Sequence, residues 1–121
     1  MQADVIMHNA VISTCEKGQQ WITALSVLRE MQQWKMQANV ITYNATIGAC
    51  EKAQQWITAV SLLREMRYWK MQADVITYSA TISACEKGQQ WITAVSLRRE
   101  MQYWKMQANV IMYHATISAC E

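Results

Sequence analysis

The sequence predicts an all-α protein, a right-handed α-solenoid of stacked helix-turn-helix repeats. The segment CEKGQQWITA at residues 15–24 returns unchanged at 85–94 and with one substitution at 50–59, which sets a period of 35 residues. The 121 residues contain no proline and only 3 glycines, so the turn residues that strand-rich folds require are missing. Close self-similarity at this period is typical of a solenoid, in which each repeat buries its apolar face against the next.

Each repeat contains two amphipathic helices, as the repeat at 40–74 illustrates. Apolar residues at helical spacing predict the first, helix A, of about twelve residues: Tyr43, Ile47 and Cys50. After a break at residues 51–55, a second set predicts helix B: Trp56, Ala59, Val60, Leu62, Leu63 and Met66. We expect the A helices to form one wall of the stack and the B helices the other, with a ligand lying against the wall of A helices.

The period divides the chain into repeats without any insertion or deletion. The expected bounds are 1–4 for the end of a preceding repeat, 5–39, 40–74 and 75–109 for repeats 1 to 3, and 110–121 for a partial repeat 4 with helix A alone. An array that stops after a helix A leaves an apolar face without a cap, so we expect a fragment of a longer array.

Composition excludes several classes of protein. The net charge of +2 permits a nucleic-acid partner without demanding one. No run of eighteen residues lacks a polar side chain, so we expect no membrane span, and no secretory or transit signal is visible. Paired carboxylates, a nucleophile beside a base, a phosphate-binding glycine loop and metal-ligand spacing are all missing. We therefore expect no enzyme, cofactor, metal or small-molecule substrate.

The four cysteines occupy the same position in their repeats, at Cys15, Cys50, Cys85 and Cys120. Neighbouring stacked helices lie about 8 to 10 Å apart, whereas a disulfide bridges Cα atoms no more than roughly 7 Å apart. We expect small buried apolar side chains and neither disulfides nor a zinc site.

Polar residues spaced by four follow the opposite side of helix A. In repeat 2 they are Asn44, Gly48 and Lys52, which offer a hydrogen-bonding tip, a small residue that leaves room, and a cation. A nucleotide fits such a row, and a solvated helix face explains the spacing equally well. Four residues stand just before the A helices, where N-capping is the favoured interpretation: Asp4, Asn39, Asp74 and Asn109.

At this point the residues carry a family resemblance. The repeat is similar to the pentatricopeptide repeat. The resemblance lies in the period of 35 residues, in VITYNATIGACEK at 40–52, in AVSLLREM at 59–66 and in the Asp or Asn that follows. A tetratricopeptide-like scaffold for protein partners ranks second, because its period is 34 and it lacks the Thr-Tyr-Asn entry to helix A. The resemblance implies single-stranded RNA binding in a chloroplast or mitochondrion, by an RNA-processing, editing or stability factor. Protein partners, if any, would contact the rest of the array.

The resemblance also implies which residues do the work. The base-reading pairs are Asn9 with Asn39, Asn44 with Asp74, and Ser79 with Asn109. These pairs imply a preference for C (less well U), then U, then A, from 5′ to 3′. His114 occupies the next reading position, without its pair. Ile6, Ile41, Ile76 and Ile111 match positions that wedge bases apart, and Lys17, Lys52 and Lys87 match a phosphate contact.

Some residues depart from the family pattern. The family closes helix B with Gly and then Pro, whereas this chain has Lys (Lys35, Lys70 and Lys105) and then Ala (Ala38, Ala73 and Ala108). We therefore expect a less defined turn between repeats. Arg98 replaces an apolar residue of helix B, so either its guanidinium snorkels or repeat 3 packs less tightly. His8 replaces Tyr43, and a packed ring is expected there. The tryptophans of helix B are expected in the core or between repeats.

Overall fold

A computed structural model of the chain describes residues 3–18 and 20–103, with side chains from residue 5 onward. Its elements are six helices, and no strand occurs among the described residues. They are α1 (Ala3–Lys17), α2 (Trp21–Gln33), α3 (Val40–Lys52), α4 (Trp56–Tyr68), α5 (Val75–Lys87) and α6 (Trp91–Tyr103). The prediction of an all-α protein is confirmed, with α1, α3 and α5 as the A helices and α2, α4 and α6 as the B helices.

The helices stack as a solenoid. Helix α3 packs against α4 of its own repeat and against both helices of the preceding repeat, and α5 repeats the pattern. The backbones of neighbouring A helices lie close together, whereas those of neighbouring B helices are farther apart in the described part of the chain. A stack whose A helices are closer together than its B helices curves toward the A helices. The A helices therefore lie on the inner side of the solenoid, on the wall where the sequence analysis expects a ligand.

The predicted apolar residues form the core. Tyr43, Ile47 and Cys50 of α3 are fully buried, as are Leu63 and Met66 of α4. The break between the helices is shorter than predicted, because Glu51 and Lys52 still belong to α3 and only residues 53–55 connect it to α4. These two residues therefore project from a helix and not from a loop.

The helix ends are well defined without the family's glycine. At the end of α4, Lys70 takes a positive φ of 58°, its amide donates to the Arg67 carbonyl at 3.0 Å, and the Met71 amide donates to the Met66 carbonyl at 2.8 Å. This is a complete Schellman motif. Lys35 forms the same turn after α2. The expectation of a less defined turn is wrong, because the hydrogen bonds impose the left-handed conformation on lysine.

The A-to-B turn uses the same motif. Ala53 and Gly88 have φ values of −90° and −88°, so the backbone needs no positive φ at this position, as the sequence predicted. The positive φ falls one residue later, on Gln54 and Gln89.

The three described cysteines are buried and free, as expected. Burial raises the pKa of Cys50 and of Cys85 to about 11, which keeps both thiols protonated at neutral pH. His8 is half-buried, and its Nε2 lies 3.0 Å from Oε1 of Glu30, consistent with a packed ring.

The tryptophans divide into two groups. Trp21 and Trp56, at the start of their B helices, are half-buried and pack against the core. Trp34 and Trp69, at the C-terminal ends, are 68% and 61% exposed, so the prediction that they pack inside is wrong. Both are the C-cap residues that follow their B helices. Trp91 is also 49% exposed.

Two further points concern the whole array. Arg98 is half-buried, whereas the equivalent residues Leu28 and Leu63 are fully buried. The arginine side chain is therefore not enclosed in the core as the two leucines are. No helix in the described part of the chain is long and apolar enough to cross a membrane. The predictions for Trp104, Lys105, Ala108, Asn109, Ile111, His114, Cys120 and repeat 4 lie outside the described residues.

Candidate nucleic-acid interface

The start of each A helix positions the second residue of a predicted reading pair. Asn39 and Asp74 have extended backbones, and each side chain accepts a hydrogen bond from the backbone amide three residues later, in Thr42 and Thr77. The threonine hydroxyls accept in return from the amides of Asn39 and Asp74, which completes a capping box. N-capping is confirmed at both. Asp4 is different, because α1 begins at Ala3 and Asp4 lies inside its first turn.

The second reading pair meets directly across the repeat boundary. Nδ2 of Asn44, on α3, donates to Oδ1 of Asp74, the cap of α5, at 3.2 Å. Thr77 joins them, because its Oγ1 lies 2.5 Å from Oδ1 of Asn44 and 3.1 Å from the Asp74 amide nitrogen. Asn44, Asp74 and Thr77 thus form a closed ring of hydrogen bonds that includes the Asp74 backbone amide.

The first reading pair is joined through threonine alone. Oγ1 of Thr42 donates to Oδ1 of Asn9 at 2.7 Å and lies 3.0 Å from Oδ1 of Asn39. Asn9 and Asn39 are brought together as predicted, with the threonine between them. Ser79 is half-buried on α5, and its partner Asn109 lies outside the described residues.

Asp74 is an ionised acceptor at neutral pH. Partial burial opposes its charge, but the Thr77 backbone amide, the Asn44 side chain, the nearby Thr77 hydroxyl and the Ile76 backbone amide outweigh burial and lower the pKa of Asp74. The Thr77 amide and the Asn44 side chain both donate to Oδ1, and the Thr77 hydroxyl lies 2.9 Å from the same oxygen. None of these three contacts uses the second carboxylate oxygen, Oδ2, and Asp74 is exposed.

The three described wedge candidates lie on one exposed edge of the A helices. Ile6, Ile41 and Ile76 are 54%, 66% and 65% exposed, one in each repeat. Each precedes a reading residue by three positions, so the two side chains share a helix face. An exposed isoleucine beside a polar side chain, repeated once per unit, gives an apolar surface against which flat rings pack.

Two of the three predicted phosphate lysines are engaged by carboxylates. Nζ of Lys52 lies 3.5 Å from Oε2 of Glu16, and Lys87 pairs in the same way with Glu51 of the preceding repeat. Lys17 is exposed and forms no ion pair within the part of the chain that the structure describes. The lysines therefore reach the surface, with two of their charges balanced.

The space beside the small residue of the polar row is already filled. Gly48 is buried, and a Cβ on it would lie 2.6 Å from Oε2 of Glu16. Ser83, its equivalent in repeat 3, donates to Oε2 of Glu51 at 3.3 Å. The expectation that this residue leaves room for a ligand is wrong, because the glutamate of the preceding repeat occupies it.

A second polar cluster lies between the A and B helices. The hydroxyl of Tyr43 donates to Oε1 of Glu65 at 2.6 Å, and the same oxygen accepts from Arg29 and Gln32 of the preceding B helix. Burial would raise the pKa of Glu65, but these hydrogen bonds outweigh it and the pKa is lowered. This cluster joins one repeat to the next and lies away from the reading side chains.

Sequence reasoning missed the threonine at the third position of the repeat and the glutamate before the phosphate lysine. Both were visible as repeated letters, at Thr42 and Thr77 and at Glu16 and Glu51. Their roles depend on contacts between residues 32 to 36 apart, which the repeat pattern alone does not predict. Among the described residues, no group of three or more His, Cys, Asp or Glu side chains is placed to hold a metal ion.

Sequence models of known protein families match most of the chain. The model of the PPR repeat family matches residues 3–52 and 38–87, and the PPR repeat model matches residues 76–106. The chain belongs to the PPR repeat family. No sequence among the curated proteins matches it significantly.

Solved PPR structures share the fold. A crystal structure of PPR10 in complex with an 18-nt psaJ RNA element superposes with a TM-score of 0.85 at 23% identity, and PPR10 from maize does so with 0.85 at 18%. Each covers 98% of this chain, which spans 17% of the PPR10 chain. The PPR domain of Arabidopsis thaliana protein-only RNase P 1, in complex with tRNA, gives 0.64 at 10% identity and covers 97% of this chain and 80% of its own. The solenoid prediction is confirmed.

Proposed function

We propose that this PPR chain binds single-stranded RNA in a sequence-specific manner, with one base for each pair of reading residues. The observation that carries the proposal is the bond between Asn44 and Asp74 across adjacent repeats, beside an exposed isoleucine. The crystallised PPR10 bound to a psaJ RNA element is in keeping with this activity. An RNA lying along the inner wall would meet one such pair every repeat.

The caps decide which atoms remain for a base. A cap needs an oxygen to accept the helix amide, and Oδ1 fills that role in both Asn39 and Asp74. Asn39 therefore has its NH2 group left to donate, whereas Asp74 has a second carboxylate oxygen left to accept. The Watson–Crick edge of cytosine presents an acceptor at N3, and that of uracil presents the N3–H donor. The chemistry thus favours C at the first pair and U at the second.

The size of the first residue of each pair separates pyrimidines from purines. Asn44 and Ser79 occupy the same position of their A helices, and the asparagine side chain is longer. Asn44 therefore leaves space only for a pyrimidine ring, the smaller of the two. A serine leaves space for a purine, which agrees with the expected A at the third pair. The proposed reading is therefore C, U and A in successive repeats.

Affinity for so short an array is expected to be weak. Base stacking contributes roughly 1 to 3 kcal/mol per base. Over three bases this barely offsets the association cost of about 4 to 15 kcal/mol. Useful affinity would come from further repeats. We propose that the chain is a non-catalytic segment of an organellar RNA-processing, editing or stability factor.

The proposal is tested by changing one letter of the second pair. Asn44→Ser, with Asp74 retained, keeps the acceptor and adds space, so the preferred second base should change from U to G. The measurement is NMR titration of the chain with short RNAs that differ only at that base. Asn9→Ser is the matched control, because it changes the same position of repeat 1 and should alter only the first preference.

Two outcomes would count against RNA reading. Equal binding of all four RNAs by the wild-type chain would refute base selection. The second outcome is an Asn44→Ser variant that still binds RNA and still prefers U. Either result would favour a helical scaffold for protein partners.

A further inference from the structure

We propose that Thr42 and Thr77 are positioning residues for base selection, each holding the asparagine of the preceding repeat in the orientation that reads a base. The inference rests on the proposed RNA-reading function and adds a residue to each of its first two sites. Neither threonine is accessible to a base, because both are fully buried. Their effect must pass through Asn9 and Asn44.

The chemistry of the ring fixes the orientation of Asn44. Asp74 is ionised and accepts only, so the amide must turn its NH2 group toward the carboxylate. Its Oδ1 then faces Thr77 and requires a donor. The Thr77 hydroxyl has one proton and lies 2.5 Å from Oδ1 of Asn44 and 2.9 Å from Oδ1 of Asp74, so the shorter contact assigns the proton to Asn44. The hydroxyl oxygen accepts from the Asp74 amide. With all three bonds made, the alternative amide orientation would place two acceptors against each other.

The same contact recurs one repeat earlier. Thr42 donates to Oδ1 of Asn9, again across the repeat boundary, while its oxygen accepts from the Asn39 amide. No bond joins Asn9 to Asn39 directly among the described residues, so Thr42 is the link between them. Two occurrences in successive repeats show that the contact belongs to the repeat and not to one side-chain conformer.

Removal of the hydroxyl is the direct test. Thr77→Val keeps the shape and burial of the side chain but leaves Oδ1 of Asn44 without its donor. The Asp74 amide also loses its acceptor, so the bond to the Asp74 carboxylate alone holds Asn44, and its side chain can leave the orientation that reads the base. We expect the ratio of affinities for U and C at the second base to fall by about three- to ten-fold, with the first base unaffected. Thr42→Val should have the reverse pattern, relaxing the first base alone.

Two control variants separate positioning from a loss of stability. Thr77→Ser retains the hydroxyl and should retain the preference. Thr81→Val removes another fully buried hydroxyl from the same helix, one that donates to the Thr77 carbonyl at 2.8 Å. It should alter the stability of the chain without altering the preference at either base. The readout is the ratio of affinities for RNAs that differ at one base, which a uniform loss of folded protein does not change.

The outcomes distinguish this inference from the function beneath it. If the wild-type chain prefers U at the second base and Thr77→Val has the same preference, the positioning role is refuted while RNA reading stands. Equal loss of preference in Thr77→Val and Thr81→Val would also refute it, since both would then act through folding. A wild-type chain without any base preference would refute the function and the inference together.

Discussion

Lys52 reaches back across a repeat boundary to Glu16, with its Nζ 3.5 Å from Oε2, and Lys87 does the same to Glu51. The cations expected to meet phosphate are thus held by carboxylates of the preceding repeat. In the proposed RNA complex, phosphate would have to displace or share each carboxylate before it gained the full charge of the lysine. We therefore expect a weaker attraction for the RNA backbone and a larger share of the binding energy from the bases.

Release of one lysine should strengthen RNA binding without improving its selectivity. Glu51→Gln removes the charge that balances Lys87 and keeps a group able to accept from Ser83. We expect about two- to five-fold tighter binding at low salt, the range of an exposed ion pair, and a steeper fall in affinity with salt. Dissociation constants measured over a salt series check it. Glu86→Gln is the matched control, because Glu86 forms no ion pair within residues 3–18 and 20–103. An equal effect in both variants would contradict the prediction.

Glycine is required at Gly88 by packing and not by backbone conformation. A Cβ at this position would lie 2.4 Å from Cδ1 and 3.0 Å from Cγ of Trp56, close to the root of a rigid ring. Gly88→Ala should therefore destabilise the chain by about 1 to 3 kcal/mol, as overpacking does. Gly18→Ala is the control, since its Cβ would meet no atom closer than 3.6 Å. Urea denaturation of both variants compares them, and equal stabilities would show that Trp56 moves aside freely.

The left-handed backbone conformation of Lys70, at the end of α4, lowers the stability of the folded chain. A non-glycine residue there costs about 1 to 2 kcal/mol, and glycine returns roughly 0.5 to 1 kcal/mol of that through its freedom in the unfolded chain. Lys70→Gly should raise the free energy of unfolding by about 0.5 to 1 kcal/mol. Lys70→Ala should give no gain, because alanine retains the Cβ. Thermal denaturation of the two variants makes the comparison, and a gain from alanine would assign the effect to the lost charge instead.

The cluster around Glu65 predicts an acid-sensitive stability. The pKa of Glu65 is lowered from 4.5 in the folded chain, so its contribution is complete above the unfolded pKa and is lost as the pH falls through the folded pKa. Glu65→Gln should be less stable than wild type at pH 7, and the difference should shrink as the pH falls below about 4.5. Denaturation curves from pH 7 to pH 3 measure this. A difference that stays constant over that range would show that the carboxylate charge contributes nothing.

Much of the fold was predictable because local patterns determine it. The spacing of Tyr43, Ile47 and Cys50 defined the buried face of α3, and all three are buried. The position of Asn39 and Asp74 before an apolar helix predicted N-caps, which depend only on residues three positions apart. The turns were harder to predict. A lysine at position 70 did not predict a left-handed backbone conformation. Lys70 nevertheless adopts one, because the hydrogen bonds that end the helix require it.

By itself, the sequence determined the period, the two helices of each repeat, their buried faces and the N-caps before the A helices. The tertiary structure alone decided that Asn44 bonds to Asp74, that Thr77 donates to Asn44, and that Glu16 fills the space beside Gly48. The physical reason is separation along the chain. Residues three or four apart meet because the helix brings them together, whereas residues more than thirty apart meet only at the spacing and rotation with which one repeat packs on the next.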